Sequence, residues 1–521
     1  MYTLTNEQRE VVAALQHRER LKVYALAGTG KTATLKAIAE LHPDLKMLYL
    51  AFNKAIADEA KGKFPPNVEV RTVHSLAYAH LGRFYRDRLS RLDYFEIAGA
   101  LGMPVKAVFE YIHHFQAFLN SGCALDRGEI AVLVSRQGAR GHLDRIADFI
   151  LRLFHALKDG RLQVDHSFYL KDFQLNFNSF GVAGAYDVVL LDEGQDVNPV
   201  ILSIFEQFHA RKIMVGDRHQ KIYGFRGAVN AIEEFKADET LYLTRTFRFH
   251  GRDQVQAVND LLYHLKCENN LLLPHASDRK EGRPTGCVIT RSNGKLIEIL
   301  LENPDLKTVR HPKQYFERFF NVFDRKVRVA DDDAVQTTFG SYLGSLEDMA
   351  ETVGDLDLLT SVKLIKRYGG SLGIFKHLYS KALKNYENGH SMYLGTAHST
   401  KGLEFDTVRL TDDFQSPRDI LERLLQEQPE LCRRGNGSQE RRGDGSQETM
   451  VIRRSELRRV FAALRDDLLR EEINLLYVAL TRAKQEIEIP KKYLIGEEYV
   501  VDAPENCKSG RTGAAGAKQL F

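Results

Sequence analysis

Short runs of apolar residues alternate along the chain with segments in which apolar residues recur every three to four positions. Continuous apolar runs separated by helical segments are typical of parallel β-sheets that are buried on both faces. The predicted strands lie at 21–26, 47–52, 186–191, 212–217, 286–290, 391–397 and 406–410. We therefore predict an α/β fold with two parallel sheets, one before about residue 245 and one after it.

Two long stretches show helical apolar spacing and lack such strand runs. We interpret each of them as a mostly helical insertion between the strands of a core domain. The predicted boundaries are 1–80 and 181–245 for the first core domain, 81–180 for its insertion, 246–300 and 389–500 for the second core domain, and 301–388 for its insertion.

Two segments are predicted to lie outside these domains. Residues 433–448 contain a unit rich in arginine, glycine and serine that occurs twice, with Asn436 in the first copy and Asp444 in the second. Such a segment buries too little apolar surface to offset the entropy of ordering, so we predict a mobile repeat loop. We favour a duplication in a tolerant loop over a nucleic-acid contact made by its arginines. The small and polar residues at 501–521 predict a flexible C-terminal tail.

Composition and charge restrict the class of protein. The chain has 521 residues, of which 43% are apolar and 27% are charged, and this length predicts roughly three to four domains. The formal net charge of +3 is too small to indicate a polyanionic partner by itself. Any nucleic-acid-binding surface must therefore be a local basic groove.

The chain also carries signals about compartment and metals. No apolar segment has the length of a transmembrane helix, and the N-terminus leads directly into the polar run at 5–10. We expect a cytoplasmic protein without membrane contact, associated with the nucleoid if it is bacterial. The cysteines show no metal-binding spacing, which predicts no zinc site and no iron–sulfur cluster. They are Cys123, Cys267, Cys287, Cys432 and Cys507.

The first chemical motif is ALAGTGKT at 25–32, which follows a predicted strand and opens a predicted helix. Its glycines allow backbone N–H groups to turn toward phosphate oxygens, while Lys31 would reach the terminal phosphates and Thr32 would offer its hydroxyl to Mg²⁺. A simple turn between strand and helix is the alternative, and the GTGKT sequence disfavours it. The expected nucleotide contacts are Ala27, Gly28, Thr29, Gly30, Lys31 and Thr32.

Three carboxylates follow the apolar run at 186–191, in the sequence DEGQD at 192–196. In a nucleotidase with a phosphate loop, a carboxylate at the end of a neighbouring buried strand completes the Mg²⁺ site, and Asp192 has this position. Glu193 would polarise the attacking water. An acidic loop that caps the next helix would account for Asp196 but not for Asp192 and Glu193.

The remaining residues of this motif have separate expected roles. Gln195 and Asp196 would relay the state of the nucleotide. Gly194 would be favoured if the backbone after Glu193 made a close contact or adopted an unusual torsion angle.

A loop after the next predicted strand brings Gln220, Tyr223, Phe225 and Arg226 together. Gln220 would sense the γ-phosphate, and Phe225 would stack on a nucleic-acid base, because every base presents a π-face. This motif alone leaves open the alternative that its aromatic residues are simply packed.

These motifs and several others occur in the order found in the UvrD/Rep-like superfamily 1 DNA helicases, which the chain resembles over nearly its whole length. The other motifs are LTNEQREVV at 4–12, AFNKAIADEA at 51–60, TVHSLAY at 72–78, LTRTFRF at 243–249, GTAHSTKGLEFDTV at 395–408 and LLYVALTRAK at 475–484. The motifs at 51–60 and 72–78 look most like those of the F-box DNA helicase branch, although the chain contains no clear F-box.

The resemblance implies two RecA-like domains that use ATP and Mg²⁺. It implies that Gln8 reads adenine, that Phe247 stacks on adenine and that Glu404 contacts the ribose. Arg248 and Arg482 are implied to reach the γ-phosphate. The implied contacts with single-stranded DNA are Asn53, His74, Tyr223, Phe225, Thr396 and His398.

The sequence also departs from the family pattern. The family usually has a tryptophan at the position of Phe225, whereas this chain contains no tryptophan, so stacking would use a smaller ring. Phe52 is shifted by one position from the aromatic residue of the family motif. About 140 residues separate TFRF from GTAHSTKG, which leaves room for only a reduced second insertion.

The leading hypothesis is an ATP-dependent DNA helicase that translocates 3′ to 5′ on single-stranded DNA and acts at junctions with duplex DNA, in repair, recombination or replication. The resemblance alone implies the polarity. The reduced insertion favours an alternative, a DNA-dependent ATPase that strips proteins from DNA or serves a defence or repair complex. A third hypothesis, a slowly hydrolysing nucleotide switch on a DNA-binding scaffold, is disfavoured by the intact set of Glu193, Gln220, Arg248 and Arg482.

The end of the chain adds two expectations. The short remainder after Lys484 predicts no nuclease domain. The last residues, Gln519, Leu520 and Phe521, resemble the short peptides with which bacterial DNA enzymes bind sliding clamps.

Overall fold

The computed structural model divides into two compact units, Met1–Arg245 and Thr246–Phe521. The residues that it describes are 3–139, 141–222, 231–249, 251–274, 285–327, 335–353, 356–388, 392–429, 431, 439–441 and 448–502. The predicted clamp-binding residues Gln519, Leu520 and Phe521 lie outside the described residues.

The first unit is built on a parallel sheet. Its strands are β1 (Arg20–Ala25), β2 (Met47–Ala51), β3 (Val68–Thr72), β4 (Val188–Leu191), β5 (Arg211–Gly216) and β6 (Glu239–Leu243). They are arranged in the order β3-β2-β4-β5-β1-β6, and every neighbouring pair is parallel. The sheet therefore presents all its carboxyl ends at one edge.

Helices connect these strands and form the first insertion. The helices around the sheet are α1 (Asn6–Ala14), α2 (Lys31–Leu41), α3 (Lys54–Lys61), α10 (Pro199–Glu206) and α11 (Ala231–Glu234). The helices between β3 and β4 are α4 (Val73–Tyr85), α5 (Tyr94–Leu101), α6 (Val105–Leu119), α7 (Arg127–Arg136), α8 (Leu143–Lys158) and α9 (His166–Leu175). The segment between β3 and β4 is therefore mostly helical.

The sheet of the first unit is covered on both faces, as its apolar strands require. In β2, Leu48 and Leu50 belong to one hydrophobic core, and Met47 and Tyr49 belong to the other. Helices α4 to α9 contribute to the core of Leu48 and Leu50, whereas α1, α2 and α3 contribute to the opposite core. The helical insertion thus packs on one face of the sheet, and the carboxyl ends of the strands lead into loops.

The second unit also contains a parallel sheet. Its strands are β9 (Gly286–Thr290), β10 (Lys307–Thr308), β11 (Met392–Thr396), β12 (Phe405–Leu410) and β15 (Ala483–Glu488), in the order β10-β11-β9-β12-β15. The chain reaches this sheet through two short strands, β7 (Arg245–Thr246) and β8 (Leu273–Pro274). The predicted fold class, α/β with two RecA-like domains, is confirmed.

The helices of the second unit are α12 (Arg252–His264), α13 (Asn293–Glu302), α14 (Lys313–Val327), α15 (Val335–Val353), α16 (Leu356–Arg367), α17 (Leu372–Glu387), α18 (Ala397–Thr400), α19 (Pro417–Glu427), α20 (Arg454–Phe461) and α21 (Asp467–Leu480). Helices α13 to α17 share a core with Val288 of β9 and Leu394 of β11. Strand β10 lies beyond the boundary predicted at residue 300, between α13 and α14, and it pairs with β11, which follows the helical segment.

A small antiparallel sheet overlaps the end of the predicted repeat loop and the start of the predicted tail, and the rest of it lies within the predicted bounds of the second core domain. Its strands are β13 (Gln439–Arg441), β14 (Glu448–Arg453) and β16 (Glu498–Asp502), with β14 in the middle. Within the predicted repeat loop, the backbone of Gln439–Arg441 is thus a strand, because it pairs with residues 448–450 of β14. In the described parts of the chain, no helix is long and apolar enough to cross a membrane.

Candidate nucleotide-binding site

Three adjacent strands of the first sheet, β4, β5 and β1, carry the candidate site at their carboxyl ends. Strand β1 leads into the loop at 26–30, β4 leads into Asp192 and Glu193, and β5 leads into Asp217. Because the strands are parallel, segments that are distant in the sequence meet at one edge. This is the edge at which nucleotides bind in open α/β sheets.

The phosphate loop is held in a conformation that its glycines permit. Gly28 and Gly30 have φ angles of 74° and 81°, in the left-handed region that glycine adopts without strain. The hydroxyl of Thr29 donates to the carbonyl of Leu26 at 2.8 Å and fixes the turn. Helix α2 begins directly afterwards, and no side chain caps its start at Gly30. Its first N–H groups are therefore directed toward the space in which a phosphate would bind.

Lys31 and Thr32 contact the two carboxylates at the end of β4. Nζ of Lys31 lies 3.1 Å from Oε2 of Glu193, and Oγ1 of Thr32 lies 3.4 Å from Oδ2 of Asp192. The hydroxyl of Tyr49 donates to the same Oδ2 of Asp192 at 2.7 Å. The structure thus brings together four residues that the sequence predicts as catalytic or metal-binding, and it adds Tyr49.

The charges of these groups depend on one another. Burial raises the pKa of Asp192 above its usual range, and the neighbouring charge of Glu193 raises it further. Burial alone would lower the pKa of Lys31, but the carboxylates of Glu193, Asp217 and Asp192 together raise it above its usual value. Lys31 is therefore held as a cation, which compensates part of the negative charge of the site.

A series of hydrogen bonds connects Glu193 with Gln220. Nε2 of Gln195 donates to Oε2 of Glu193 at 2.5 Å, and Oε1 of Gln195 accepts from the backbone N–H of Asp217 at 3.0 Å. Oδ2 of Asp217 in turn accepts from Nε2 of Gln220 at 2.8 Å. The sequence predicts Gln195 and Gln220 as functional, whereas Asp217 is an addition. Its position directly after a buried strand, like that of Asp192, is the signal that could have identified it.

Gly194 fits a close contact with the neighbouring strand. A Cβ atom at this position would lie 2.8 Å from Cγ and 2.9 Å from Sδ of Met214. The backbone N–H of Gly194 donates to the carbonyl of Val215 at 3.0 Å, which holds the loop against β5. The left-handed torsion angle is found at Glu193, with φ of 53°.

Gln8 lies beside the phosphate-loop helix. Its side-chain oxygen accepts from the backbone N–H of Thr5 at 3.0 Å, and the hydroxyl of Thr5 accepts from the N–H of Gln8, which together form a capping box. Nε2 of Gln8 donates to Oγ1 of Thr34 at 3.2 Å. The predicted adenine-reading residue is thus fixed both to its own helix and to α2.

In the second unit, Arg248 and Glu404 form an ion pair. The guanidinium of Arg248 donates to Oε1 of Glu404 at 2.5 Å and to the carbonyl of Thr481 at 2.7 Å. Burial acts to raise the pKa of Glu404, but the charge and hydrogen bond of Arg248, together with the charges of Arg482 and Lys484, hold that pKa below its usual range. Phe247 precedes Arg248 directly, so both implied nucleotide contacts are in one described segment.

Arg482 is buried in the second unit, with 1% of its surface exposed. Its guanidinium donates to the carbonyl of Val478 at 2.8 Å, to the carbonyl of Leu403 at 3.3 Å and to the hydroxyl of Thr481 at 2.9 Å. These contacts join the end of α21 to the segment before β12.

Several predicted DNA contacts lie at helix starts that directly follow parallel strands. Oδ1 of Asn53, after β2, accepts from the N–H of Ile56 at 2.9 Å, and Oγ1 of Thr396, at the end of β11, accepts from the N–H of Ser399 at 3.2 Å. His74 lies in the first turn of α4 after β3, and His398 lies in α18 after β11. Tyr223 and Phe225 lie outside the described residues.

The described residues of the first unit fit ATP with Mg²⁺. The start of α2 offers backbone N–H groups, and Lys31 offers a cation to phosphate oxygens. Thr32 and Asp192 offer adjacent hydroxyl and carboxylate oxygens, which are ligands that Mg²⁺ prefers.

Comparisons with known proteins agree with this geometry. The sequence model of the AAA domain matches residues 8–226, and that of the UvrD-like helicase C-terminal domain matches residues 374–491. The chain belongs to the UvrD-like helicases. In this UvrD-like helicase the first match contains the phosphate loop and the DEGQD motif, and the second contains Glu404 and Arg482.

Two relatives place this UvrD-like helicase near the F-box helicase branch. The chain is 28% identical over 466 residues to F-box DNA helicase 1 of Gallus gallus. The aligned region covers 79% of this chain and 45% of that protein. It is 28% identical over 551 residues to F-box DNA helicase protein 1 of Schizosaccharomyces pombe. That aligned region covers 93% of this chain and 57% of that protein. The chain thus spans about half the length of these relatives.

Proposed function

We propose that this UvrD-like helicase hydrolyses ATP in order to move 3′ to 5′ along single-stranded DNA and to separate strands at junctions with duplex DNA. The observation that carries the proposal is the convergence of Lys31 and Thr32 on Glu193 and Asp192 at one edge of a parallel sheet. The polarity is supported by the resemblance to superfamily 1 helicases.

The residues of the first unit would divide the chemistry of hydrolysis. Lys31 would bind the terminal phosphates, and Glu193 would orient a water molecule and accept its proton. Thr32 and Asp192 would hold a Mg²⁺ ion, which when bound neutralises charge on the phosphates. Tyr49 would keep the Asp192 carboxylate oriented through its hydrogen bond at 2.7 Å.

The relay from Gln220 to Glu193 would link catalysis to the state of the nucleotide. Gln220 is proposed to sense the γ-phosphate, and its amide is hydrogen bonded to Asp217, which is bonded to Gln195. Gln195 donates to the same oxygen of Glu193 that lies next to Lys31. A shift of Gln220 would therefore reorient Glu193, and loss of the γ-phosphate would relax it.

Residues of the second unit would complete nucleotide recognition. Phe247 is proposed to stack on adenine, Glu404 to contact the ribose, and Arg248 and Arg482 to contact the γ-phosphate. The ion pair at 2.5 Å between Arg248 and Glu404 supports a shared role for these two side chains. Gln8 is proposed to recognise adenine from its position beside α2.

DNA contacts are proposed at the helix starts that follow the parallel strands. Asn53, His74, Thr396 and His398 all occur at this position, where helix N–H groups favour phosphate oxygens. Tyr223 and Phe225 are proposed to add base stacking, which tolerates any sequence.

Unwinding assays test the proposed activity and its polarity. Duplexes with a 3′ or a 5′ single-stranded tail would be incubated with ATP and Mg²⁺, and strand separation would be measured. The proposal predicts unwinding of the 3′-tailed duplex only. Preference for the 5′ tail contradicts the polarity, whereas stimulated ATP hydrolysis without unwinding selects the alternative in which the protein strips other proteins from DNA.

We also propose a role in DNA repair, recombination or replication, a cytoplasmic location, and a sliding-clamp contact at Gln519–Phe521. The names of the two relatives support the DNA role, since both are called DNA helicases. Titration of the peptide 509–521 against a sliding clamp tests the contact, and absence of binding contradicts it.

A further inference from the structure

The side chain of Glu7 joins α1 to the end of the first unit. Its Oε2 accepts from the backbone N–H of Thr244 at 2.9 Å and from that of Arg245 at 3.2 Å. Its Oε1 accepts from the hydroxyl of Thr244 at 2.5 Å. One carboxylate thus receives three hydrogen bonds from two consecutive residues that are distant from it in the sequence.

This arrangement exceeds what helix capping requires. An acidic residue in the first turn of a helix interacts favourably with the helix dipole wherever its side chain points. The start of α1 is already capped by Thr5 and Gln8, which satisfy each other's backbone N–H groups. The Glu7 carboxylate is therefore available for a different partner, and that partner is the end of β6.

The end of β6 is fixed from a second side by the phosphate loop. The backbone N–H of Leu26, the first residue after β1, donates to the carbonyl of Leu243 at 3.1 Å. Thr244 is buried, with 8% of its surface exposed. The point at which the chain leaves the first sheet is consequently held by the phosphate loop and by the helix that carries Gln8.

Two proposed nucleotide contacts follow directly in the sequence. Arg245 is the last residue of the first unit, and Phe247 and Arg248 come immediately after Thr246. Gln8 is the neighbour of Glu7 on α1 and is bonded to α2 through Thr34. The residue that holds Thr244 and Arg245 therefore lies on the same helical turn as the proposed adenine-reading residue.

We propose that Glu7 is a positioning residue for recognition of the adenine base, because it holds Thr244 and Arg245, which come directly before the segment that carries Phe247. The inference rests on the proposed function and adds a specificity-determining residue to it. Glu7 is not itself proposed to contact the nucleotide. Its carboxylate would hold the backbone of Thr244 and Arg245 in place, while Gln8 and Phe247 would make the proposed contacts with adenine.

The test compares Glu7→Ala and Glu7→Gln with Glu10→Ala, a control for an exposed glutamate of the same helix. DNA-stimulated hydrolysis of ATP and of GTP would be measured for each full-length variant. For Glu7→Ala we expect KM for ATP to rise about tenfold while kcat changes by less than about twofold, with a clear loss of the preference for ATP over GTP. Glu7→Gln should show a smaller loss, since its amide oxygen still accepts, and Glu10→Ala should match the wild type.

The outcomes separate this inference from the proposed function. If the wild-type chain hydrolyses ATP with DNA stimulation but both Glu7 variants keep its KM and base preference, the positioning role is wrong. Equal losses for ATP and GTP also contradict it, because a merely structural role would not distinguish the bases. If Glu7→Ala fails to fold, Glu7→Gln provides the same comparison. Absence of DNA-stimulated hydrolysis in the wild type instead contradicts the proposed function itself.

Discussion

At the scale of single residues, Asp192 and Glu193 are neighbours in the sequence but contact different partners. Asp192 faces Thr32 and Tyr49, whereas Glu193 faces Lys31. The left-handed φ of 53° at Glu193 accounts for this divergence, because it turns the chain sharply between the two side chains. Such a conformation costs on the order of 1–3 kcal/mol in a residue other than glycine, and it occurs frequently in active sites.

The Lys31→Ala variant tests the phosphate loop. We expect ATP turnover to fall by at least about a hundredfold, because the variant lacks the cation that binds phosphate and compensates Glu193. The fold should be largely preserved, which circular dichroism would show, since Lys31 contributes no apolar packing. Lys36→Ala is the matched control, because Lys36 lies on the same helix and pairs only with Glu40 at 3.3 Å in the described residues. Normal turnover in Lys31→Ala would contradict the role of the loop.

The pH dependence of turnover tests the environment of Asp192. This carboxyl must be ionised to bind Mg²⁺, so activity is lost as the pH falls through its pKa. Tyr49→Phe removes a hydrogen bond that lowers the pKa of Asp192, against the larger effect of burial that raises it. We therefore expect the acidic limb of the profile of kcat/KM against pH, which reports the free enzyme, to shift to higher pH in this variant.

Tyr186→Phe is the control for this shift, because the Tyr186 hydroxyl donates to the Glu69 carboxylate at the same distance, 2.7 Å, away from the site. An unshifted limb in Tyr49→Phe would show that the hydrogen bond does not change the pKa of Asp192.

The raised pKa of Asp192 also makes the stability of the fold depend on pH. Folding stability from this group is present at low pH and is lost as the pH rises from the unfolded-state pKa to the folded-state pKa.

The sequence predicts Lys31 and Asp192 because they stand in motifs with a fixed order. It does not predict Tyr49, which lies in a continuous apolar strand where a tyrosine is usually part of the core. Its role depends on the pairing of β2 with β4, which places its hydroxyl beside Asp192. The contact of Glu7 with Thr244 cannot be predicted from the sequence for the same reason, since no local pattern indicates a partner so distant in the sequence.

At the scale of elements, burial on both faces decides which strands can be predicted. All residues of β2 and β4 are buried, and both strands appear in the sequence as continuous apolar runs. Strands β3 and β6 lie at the two edges of the sheet and have mixed burial, so their sequences VEVRT and ETLYL give no apolar run. Strand β10 is only two residues long and carries no pattern at all.

Arg482 tests how one side chain stabilises the packing between elements. Arg482→Ala would remove the guanidinium donors from the carbonyls of Val478 and Leu403, although the Val478 carbonyl would keep the N–H and the hydroxyl of Thr481 as donors. We expect the free energy of unfolding of the second unit to fall by about 2–3 kcal/mol, measured by denaturant titration without nucleotide. Arg409→Ala, at an exposed position on β12, should change it by less than about 0.5 kcal/mol. Equal stability of the two variants would contradict the structural role of Arg482.

At the scale of the whole molecule, the two units carry complementary parts of one set of motifs. The first unit contains the phosphate loop and the DEGQD motif, and the second contains Arg248, Glu404 and Arg482. The sequence predicts this division because each set of strands repeats the same alternation with helices. It does not predict the small antiparallel sheet of the second unit, because the pairing of β14 with β16 joins segments that are distant in the sequence.

ATP hydrolysis with and without single-stranded DNA tests the central claim most directly, with the wild-type chain and the Glu193→Gln variant compared side by side. The account predicts strong stimulation of the wild type by single-stranded DNA. It predicts that Glu193→Gln still binds ATP but hydrolyses it about a hundredfold or more slowly, because the side chain can no longer accept a proton. A wild type that DNA does not stimulate, or a Glu193→Gln variant with undiminished turnover, would contradict the account.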